Sequence, residues 1–135
     1  MPRLHVVALS AKLPGWAEQA CAEYVKRMPK GYKVERLTVE RLGVKRLALP
    51  KNAYVVALDE RGKDLTTEQF AKLLQRETAF VIGGADGLDE KIRKEAALLL
   101  RLSALTLPHA LAQVVLLEQI YRAATILTGH PYHRA

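Results

Sequence analysis

Hydrophobic positions along the chain switch between two rhythms. Short apolar runs bounded by breakers fall at Leu4-His5-Val6-Val7-Ala8-Leu9, Tyr54-Val55-Val56-Ala57-Leu58 and Phe80-Val81-Ile82, and each predicts a buried strand. Val34, Leu37 and Val39 suggest a further strand after the breaker Pro29-Lys30-Gly31. Between the first two strands Ala17, Ala20, Cys21, Tyr24, Val25 and Met28 follow helical spacing. Thr66-Thr67-Glu68-Gln69 opens a helix to about Arg76, with Thr as N-cap. Asp89 caps a helix expected to reach about Arg101, and Leu102 to Leu107 then reads as a fifth short strand. Pro108 begins a long apolar helix to about Thr128, and Gly129 starts a polar tail. The stretch Gly43 to Asn52 has no clean period, and Pro50 breaks it.

Strands alternating with helices predict an α/β fold, a mostly parallel sheet with helices on both faces. With 135 residues, no internal repeat and no linker, residues 1–135 form one domain. Half of the residues are hydrophobic, which excludes a disordered chain. A single cysteine excludes a disulfide scaffold and a multi-cysteine zinc site, and Cys21 faces inward as a structural residue. Met1-Pro2-Arg3 leads into a strand with no apolar leader, so secretion is not expected and the cytoplasm is. Leu98 to Leu117, the most apolar stretch, is interrupted by Arg101, Pro108 and His109, so no bilayer span is expected.

Charge changes the picture. The net charge is +7, and residues 1–50 hold ten Lys and Arg against four acids while residues 51–100 hold eight against nine. Lys26, Arg27, Lys30, Lys33, Arg36, Arg41, Lys45 and Arg46 face only Glu35 and Glu40. Such a stretch is either a solvated basic face or a surface that meets nucleic-acid phosphates.

Ligands of open α/β sheets bind outside the carboxyl ends of the strands. Three such ends carry unusual segments: Asp59-Glu60-Arg61-Gly62-Lys63, Gly83-Gly84-Ala85-Asp86-Gly87 and Leu105-Thr106-Leu107-Pro108-His109. The glycines match neither the dinucleotide fingerprint nor a P-loop. Leu102 to Leu107 is poor in functional side chains, so a ligand there would meet backbone N–H and C=O groups, which suits a neutral or zwitterionic molecule with an aromatic base. His5 reads as a packed residue in its strand, whereas His109 opens a helix beside this candidate site. His130 and His133 have the spacing of a metal pair but no carboxylate or thiol nearby, and no metal is expected. The tail Gly129-His130-Pro131-Tyr132-His133-Arg134 is either frayed or a clamp able to stack an RNA nucleotide. Glu118 and Arg122 stand four apart in an apolar helix, as a plain helical pair or as the mark of an interface or site.

Phe80-Val81-Ile82-Gly83-Gly84-Ala85-Asp86-Gly87, Leu102-Ser103-Ala104-Leu105-Thr106-Leu107-Pro108-His109, Tyr121-Arg122-Ala123 and His130-Pro131-Tyr132-His133-Arg134, in this order, closely resemble the RlmH-type methyltransferases. The helix containing Trp16 and Leu58-Asp59-Glu60-Arg61-Gly62-Lys63 extend the resemblance over nearly the whole chain. These small SPOUT-class enzymes methylate N3 of a pseudouridine in 23S ribosomal RNA. The resemblance implies a carboxyl-terminal trefoil knot over about 54–128, a fold feature that topology rules alone would disfavour. It implies S-adenosylmethionine bound by Leu58, Gly83, Leu102, Ser103, Ala104, Leu105, Thr106 and Leu107. It also implies a homodimer acting on the assembled ribosome, with the target nucleotide at the tail 129–135. Family members carry a longer insert with a helix where Arg41 to Ala53 joins two strands here, so that helix is expected to be lost or reduced to a turn.

Methylation at N3 displaces a proton, which a neutral His can take or whose loss a cation can ease by stabilising the anionic ring. Arg134 is expected to stabilise charge and Tyr132 or His133 to position the base, with His109 and Arg122 as weaker candidates. Two other readings stay open: an rRNA-binding assembly factor without catalysis, and a SPOUT methyltransferase acting on another RNA such as tRNA.

Overall fold

The chain runs through β1 (Arg3–Leu9), α1 (Gly15–Arg27), β2 (Lys33–Thr38), β3 (Tyr54–Asp64), α2 (Thr67–Ala71), β4 (Thr78–Gly83), α3 (Glu90–Glu95), β5 (Leu98–Arg101) and α4 (His109–Thr128). The computed structural model describes residues 3–9, 12–39, 49–84 and 87–134. The strands pair in parallel in the order β2-β1-β4-β3-β5. Among the described residues every pairing of named strands is parallel, which requires crossovers and explains the alternation with helices.

Strand alternation divides the apolar residues between two faces. Leu4 and Val6 of β1, Val56 of β3 and Phe80 of β4 face one way, against Ala17 and Cys21 of α1, Phe70 and Ala71 of α2, and Leu116, Leu117 and Ile120 of α4. Val7, Leu9 and Val81 face the other way, under Leu88, Ile92 and Leu49. α1, α2 and α4 therefore build the larger core, whereas the smaller one is covered mostly by residues outside helices, with Ile92 as the contribution of the short α3. Each fully buried Leu or Ile in the larger core contributes about 1.5–3 kcal/mol. α4 is long and apolar enough to cross a membrane. Its buried stripe packs on the sheet instead, with Leu116, Leu117 and Ile120 in the main cluster.

Local signals set the helix ends. α1 follows Pro14, carries Glu18 in its first turn and Lys26 and Arg27 in its last, and stops before Pro29. Thr66 caps α2 in a reciprocal box, accepting from the Gln69 N–H at 3.1 Å while the Gln69 side chain accepts from the Thr66 N–H at 2.8 Å. α2 then tightens into a 3₁₀ turn over Lys72–Gln75, so the expected single helix to Arg76 is present with its last turn narrowed. α4 ends at Gly129 in the left-handed conformation (φ 75°), and the His130 N–H donates back to the Thr125 carbonyl at 2.9 Å. That turn sends the tail back along α4.

Three expectations change. The helix capped by Asp89 ends at Glu95, not near Arg101, and the fifth strand is Leu98–Arg101, not Leu102 to Leu107. An apolar run such as Leu98-Leu99-Leu100 suits either element, and pairing with β3 decides for the strand. Residues 102–107 are then left as a loop. β3 continues through the polar segment Asp59 to Asp64, where a loop is expected from its composition. Leu100 pairs with Leu58 and, beyond a bulge, again with Lys63, so residues 59–62 bulge out and the end of β3 resumes parallel pairing with β5 at Lys63 and Asp64. Of the shortened connection 41–53, residues 41–48 lie outside the described residues; Pro50 to Ala53 form a turn closed by the Ala53 N–H on the Pro50 carbonyl at 3.1 Å.

Candidate functional site

The carboxyl ends of β3, β4 and β5 and the first turn of α4 enclose a cavity of about 590 Å³, within the size range of small-molecule sites. Leu58, Gly83, Leu102, Ser103, Leu105, Thr106, Leu107 and His109 line it. Ala104 lies exposed in the same loop but is not among the lining residues.

Glycine makes this geometry accessible at two points. A Cβ on Gly62 would stand 2.7 Å from the backbone of Leu99 and Leu100, so only glycine lets the bulged part of β3 approach β5 this closely. A Cβ on Gly83 would stand 2.6 Å from the Gly87 carbonyl carbon, where the chain closes on itself through the Gly84–Gly87 bridge. Ala85 and Asp86 lie outside the described residues. The loop 102–107 is braced by the Ser103 hydroxyl, which accepts from the Leu105 N–H at 2.9 Å. The Leu105 side chain stands out at 77% exposure beside the cavity.

Charges around the cavity are mostly used internally. The buried Asp59 carboxylate is held by the Arg93 Nε at 2.6 Å and by the Arg61 N–H at 2.7 Å. Arg101 grips Asp64 with two bonds of 2.6 and 2.7 Å, which holds the Asp64 carboxyl below its ordinary range. Sequence reasoning missed Arg93, Arg101 and Asp64 because each partner lies dozens of residues away. The walls are left with apolar side chains, backbone groups and the few polar side chains of Glu60, Ser103, Thr106 and His109, a set suited to a nucleoside bearing a zwitterionic tail rather than to a polyphosphate. Among the described residues no group of three His, Cys, Asp or Glu side chains could hold a metal ion.

The tail is docked, but not on the cavity. The Tyr132 hydroxyl donates to Glu118 Oε2 at 2.9 Å, and the ring packs edge-on against Tyr121 with centroids 4.7 Å apart. Arg122 donates to the same Glu118 oxygen at 2.8 and 3.0 Å, and to His133 Nδ1 at 3.3 Å. A guanidinium can only donate, so His133 Nδ1 carries the lone pair and Nε2 the hydrogen, facing Glu68 at 3.7 Å. Burial first, and the bond to Glu118 second, push the Tyr132 phenol up to about 12. Arg134 is exposed. The cavity meets α4 at His109 and Ala112, whereas the tail meets it at Glu118. That separation is roughly 9 Å along the helix. Tyr132 and His133 are therefore brought together with Glu118 and Arg122, and not with the cavity of their own chain, while Arg134 follows them exposed on the same tail.

The basic stretch is split in the same way. Arg27 pairs with Glu23 at 2.9 Å and Arg36 with Glu18 at 2.8 Å, so two of its cations are spent internally. Exposed Lys26, Lys30 and Lys33 sit where α1 ends and β2 begins, at the amino-terminal end of the strands. Arg41, Lys45 and Arg46 lie outside the described residues. The strand length places these lysines roughly 20 Å from the cavity end of the sheet.

A family model described as "Predicted SPOUT methyltransferase" matches residues 2–133. A protein of Burkholderia thailandensis named "Ribosomal RNA large subunit methyltransferase H" is 48% identical over 156 aligned positions, covering 98% of this chain and 99% of that protein. That alignment is longer than the 135-residue chain, so the relative carries extra residues within it. Among solved structures, a probable methylase family protein from Haemophilus influenzae superposes with a TM-score of 0.62 at 12% identity, over 98% of this chain and 70% of that one. The SpoU methyltransferase AviRb from Streptomyces viridochromogenes, in complex with AdoMet, gives 0.54 at 16% identity over 89% of this chain and 56% of its own. These two likenesses concern the fold.

Proposed function

The chain belongs to the SPOUT methyltransferase family, and on that premise we propose that it methylates N3 of a pseudouridine in the 23S ribosomal RNA of the assembled ribosome, using S-adenosylmethionine. The observation that carries this reading is 48% identity, across 98% of the chain, to a protein named for methylation of large-subunit ribosomal RNA.

Leu58, Gly83 and the loop 102–107 bind the cofactor in this reading, with the apolar walls and backbone groups described above. When bound, the cofactor supplies an electrophilic methyl group on a sulfonium. The protein's part is to bring N3 in line with that methyl group and to manage the N3 proton. Tyr132 keeps its proton and serves as a donor, because its phenol is pushed up to about 12. The lone pair on His133 Nδ1 is committed to Arg122, so His133 also positions and is not the base. Arg134, projecting from the docked tail, stabilises the ring as negative charge develops on it. His109, on the cavity wall, is the imidazole placed to take the proton.

The reading includes a homodimer, and what supports it is a tail that lies roughly 9 Å along α4 from its own cavity and in this reading serves the cavity of a second copy. The knot over about 54–128 belongs to this reading, and what supports it is the close approach of β3 to β5 at Gly62. Lys26, Lys30 and Lys33, roughly 20 Å from the cavity of their own chain, dock in this reading on phosphates of the surrounding ribosomal RNA. The cytoplasm, where ribosomes are, is the corresponding location.

Arg134→Ala tests the assignment. Labelled methyl transfer into ribosomes should fall by about 100-fold or more, while calorimetric affinity for S-adenosylmethionine stays near wild type. A variant within a few-fold of wild type removes Arg134 from the reaction, and an absence of cofactor binding by the wild type removes the enzyme reading altogether.

A further inference from the structure

The function proposed above leaves Glu118 without a role, although it is the hub of the docked tail. Its Oε2 accepts from Tyr132 at 2.9 Å and from Arg122 at 2.8 and 3.0 Å, and its Oε1 accepts from Gln119 at 2.7 Å. The Gln119 carbonyl in turn accepts from the Thr67 hydroxyl of α2 at 2.9 Å. The circuit returns to α2 through Arg122, His133 and the 3.7 Å approach of His133 to Glu68. An ordinary helical pair would need only Arg122, is commonly exposed, and contributes a few tenths of a kcal/mol. Here the Glu118 side chain is 18% exposed, and three donors converge on one of its oxygens.

We propose that Glu118 is a positioning residue for methyl transfer: it fastens Tyr132 and, through Arg122, His133 onto α4, and so fixes where the Arg134 guanidinium stands. Two backbone features point the same way. The left-handed Gly129 turns the tail back toward Glu118, and Tyr121 receives the Tyr132 ring edge-on. α2 begins just beyond the segment of β3 clamped by Arg101, so the circuit ties the tail to the frame that carries the cavity. The proposal rests on the reading of Arg134 as the charge-stabilising group, since Glu118 acts only through the tail.

The test compares wild type, Glu118→Ala, Glu118→Gln and Arg134→Ala. Single-turnover methyl transfer into ribosomes, cofactor affinity by calorimetry, and the titration of Tyr132 by ¹³C-tyrosine NMR are measured, with Tyr132→Phe assigning the resonance. Displacing a catalytic group by about 1 Å costs about 100-fold, so Glu118→Ala should lose rate on that scale while cofactor affinity stays within about twofold. Its Tyr132 should titrate below the wild-type value of about 12. Glu118→Gln keeps an acceptor for Tyr132 and should recover much of the rate. Cofactor binding lost in both Glu118 variants would make the residue a support of the fold and overturn the proposal. Arg134→Ala inactive beside Glu118→Ala at wild-type rate overturns the positioning role alone. Arg134→Ala at wild-type rate takes the tail out of the reaction, and this proposal with it.

Discussion

Gly62→Ala puts one methyl group where the bulge of β3 presses on β5. That methyl would stand 2.7 Å from the carbonyl carbon of Leu99 and from the nitrogen and carbonyl carbon of Leu100. Carbon atoms pack favourably at about 3.5–4.0 Å, so the backbones must separate by close to 1 Å. No flexible side chain stands there to give way. Overpacking costs about 1–3 kcal/mol, and the upper end applies because two strands must part. A loss of about 3 kcal/mol corresponds to a Tm lower by roughly 10 °C for a domain of this size. The strain also falls on function, because Leu100, Arg101, Leu102 and Ser103 line the cavity. Denaturant unfolding at fixed protein concentration and calorimetry with S-adenosylmethionine are the assays. The cofactor affinity should drop by about tenfold, equivalent to about 1.4 kcal/mol. Gly15→Ala is the control: its added Cβ meets nothing within 4 Å, and alanine in a helix should be neutral or stabilising by up to about 1 kcal/mol. A Gly62→Ala protein as stable as wild type, binding cofactor equally well, would refute the claim that glycine is required for this crossing.

Replacing Lys26, Lys30 and Lys33 together by alanine should weaken ribosome binding and flatten its log–log salt dependence by about 2–3, with cofactor affinity unchanged; an unaltered slope would deny these lysines their phosphates. The docked tail should also be pH-sensitive, and the sign follows from Tyr132. Its folded value, about 12, is raised above the ordinary tyrosine value of about 10, so the stabilisation is complete below pH 10 and is lost as pH rises through about 12. Ultraviolet titration should therefore show one tyrosine ionising late, absent in Tyr132→Phe, and five tyrosines ionising together near pH 10 would contradict the docked tail.

Strands at strand-like apolar runs, glycines at their carboxyl ends and the capped helices α2 and α4 were legible because each is written in adjacent residues. Leu98-Leu99-Leu100 was not, because an apolar run has no period that separates strand from helix, and only β3 beside it decides. The polar segment Asp59 to Asp64 looks like a loop and becomes strand only because β5 lies within its reach. Glu118 and Arg122 declared themselves by their spacing, and the structure adds what spacing cannot show. The same carboxylate also takes Tyr132, fourteen residues away across a left-handed turn. Lys26, Lys30 and Lys33 were visible as charge, but their place at the end of the sheet opposite the cavity depends on the direction of α1 and β2. The cofactor and RNA assignments come from the resemblance, since the cavity lining is largely backbone and aliphatic and carries little chemical signature.

Transfer of a labelled methyl group from S-adenosylmethionine, offered in parallel to intact ribosomes lacking the modification and to tRNA, bears on the whole account at once. The expected result is label in 23S ribosomal RNA of the intact ribosomes, confined to N3 of one pseudouridine, and none in tRNA. Label in tRNA, or none in either RNA from a protein that binds the cofactor, would contradict it.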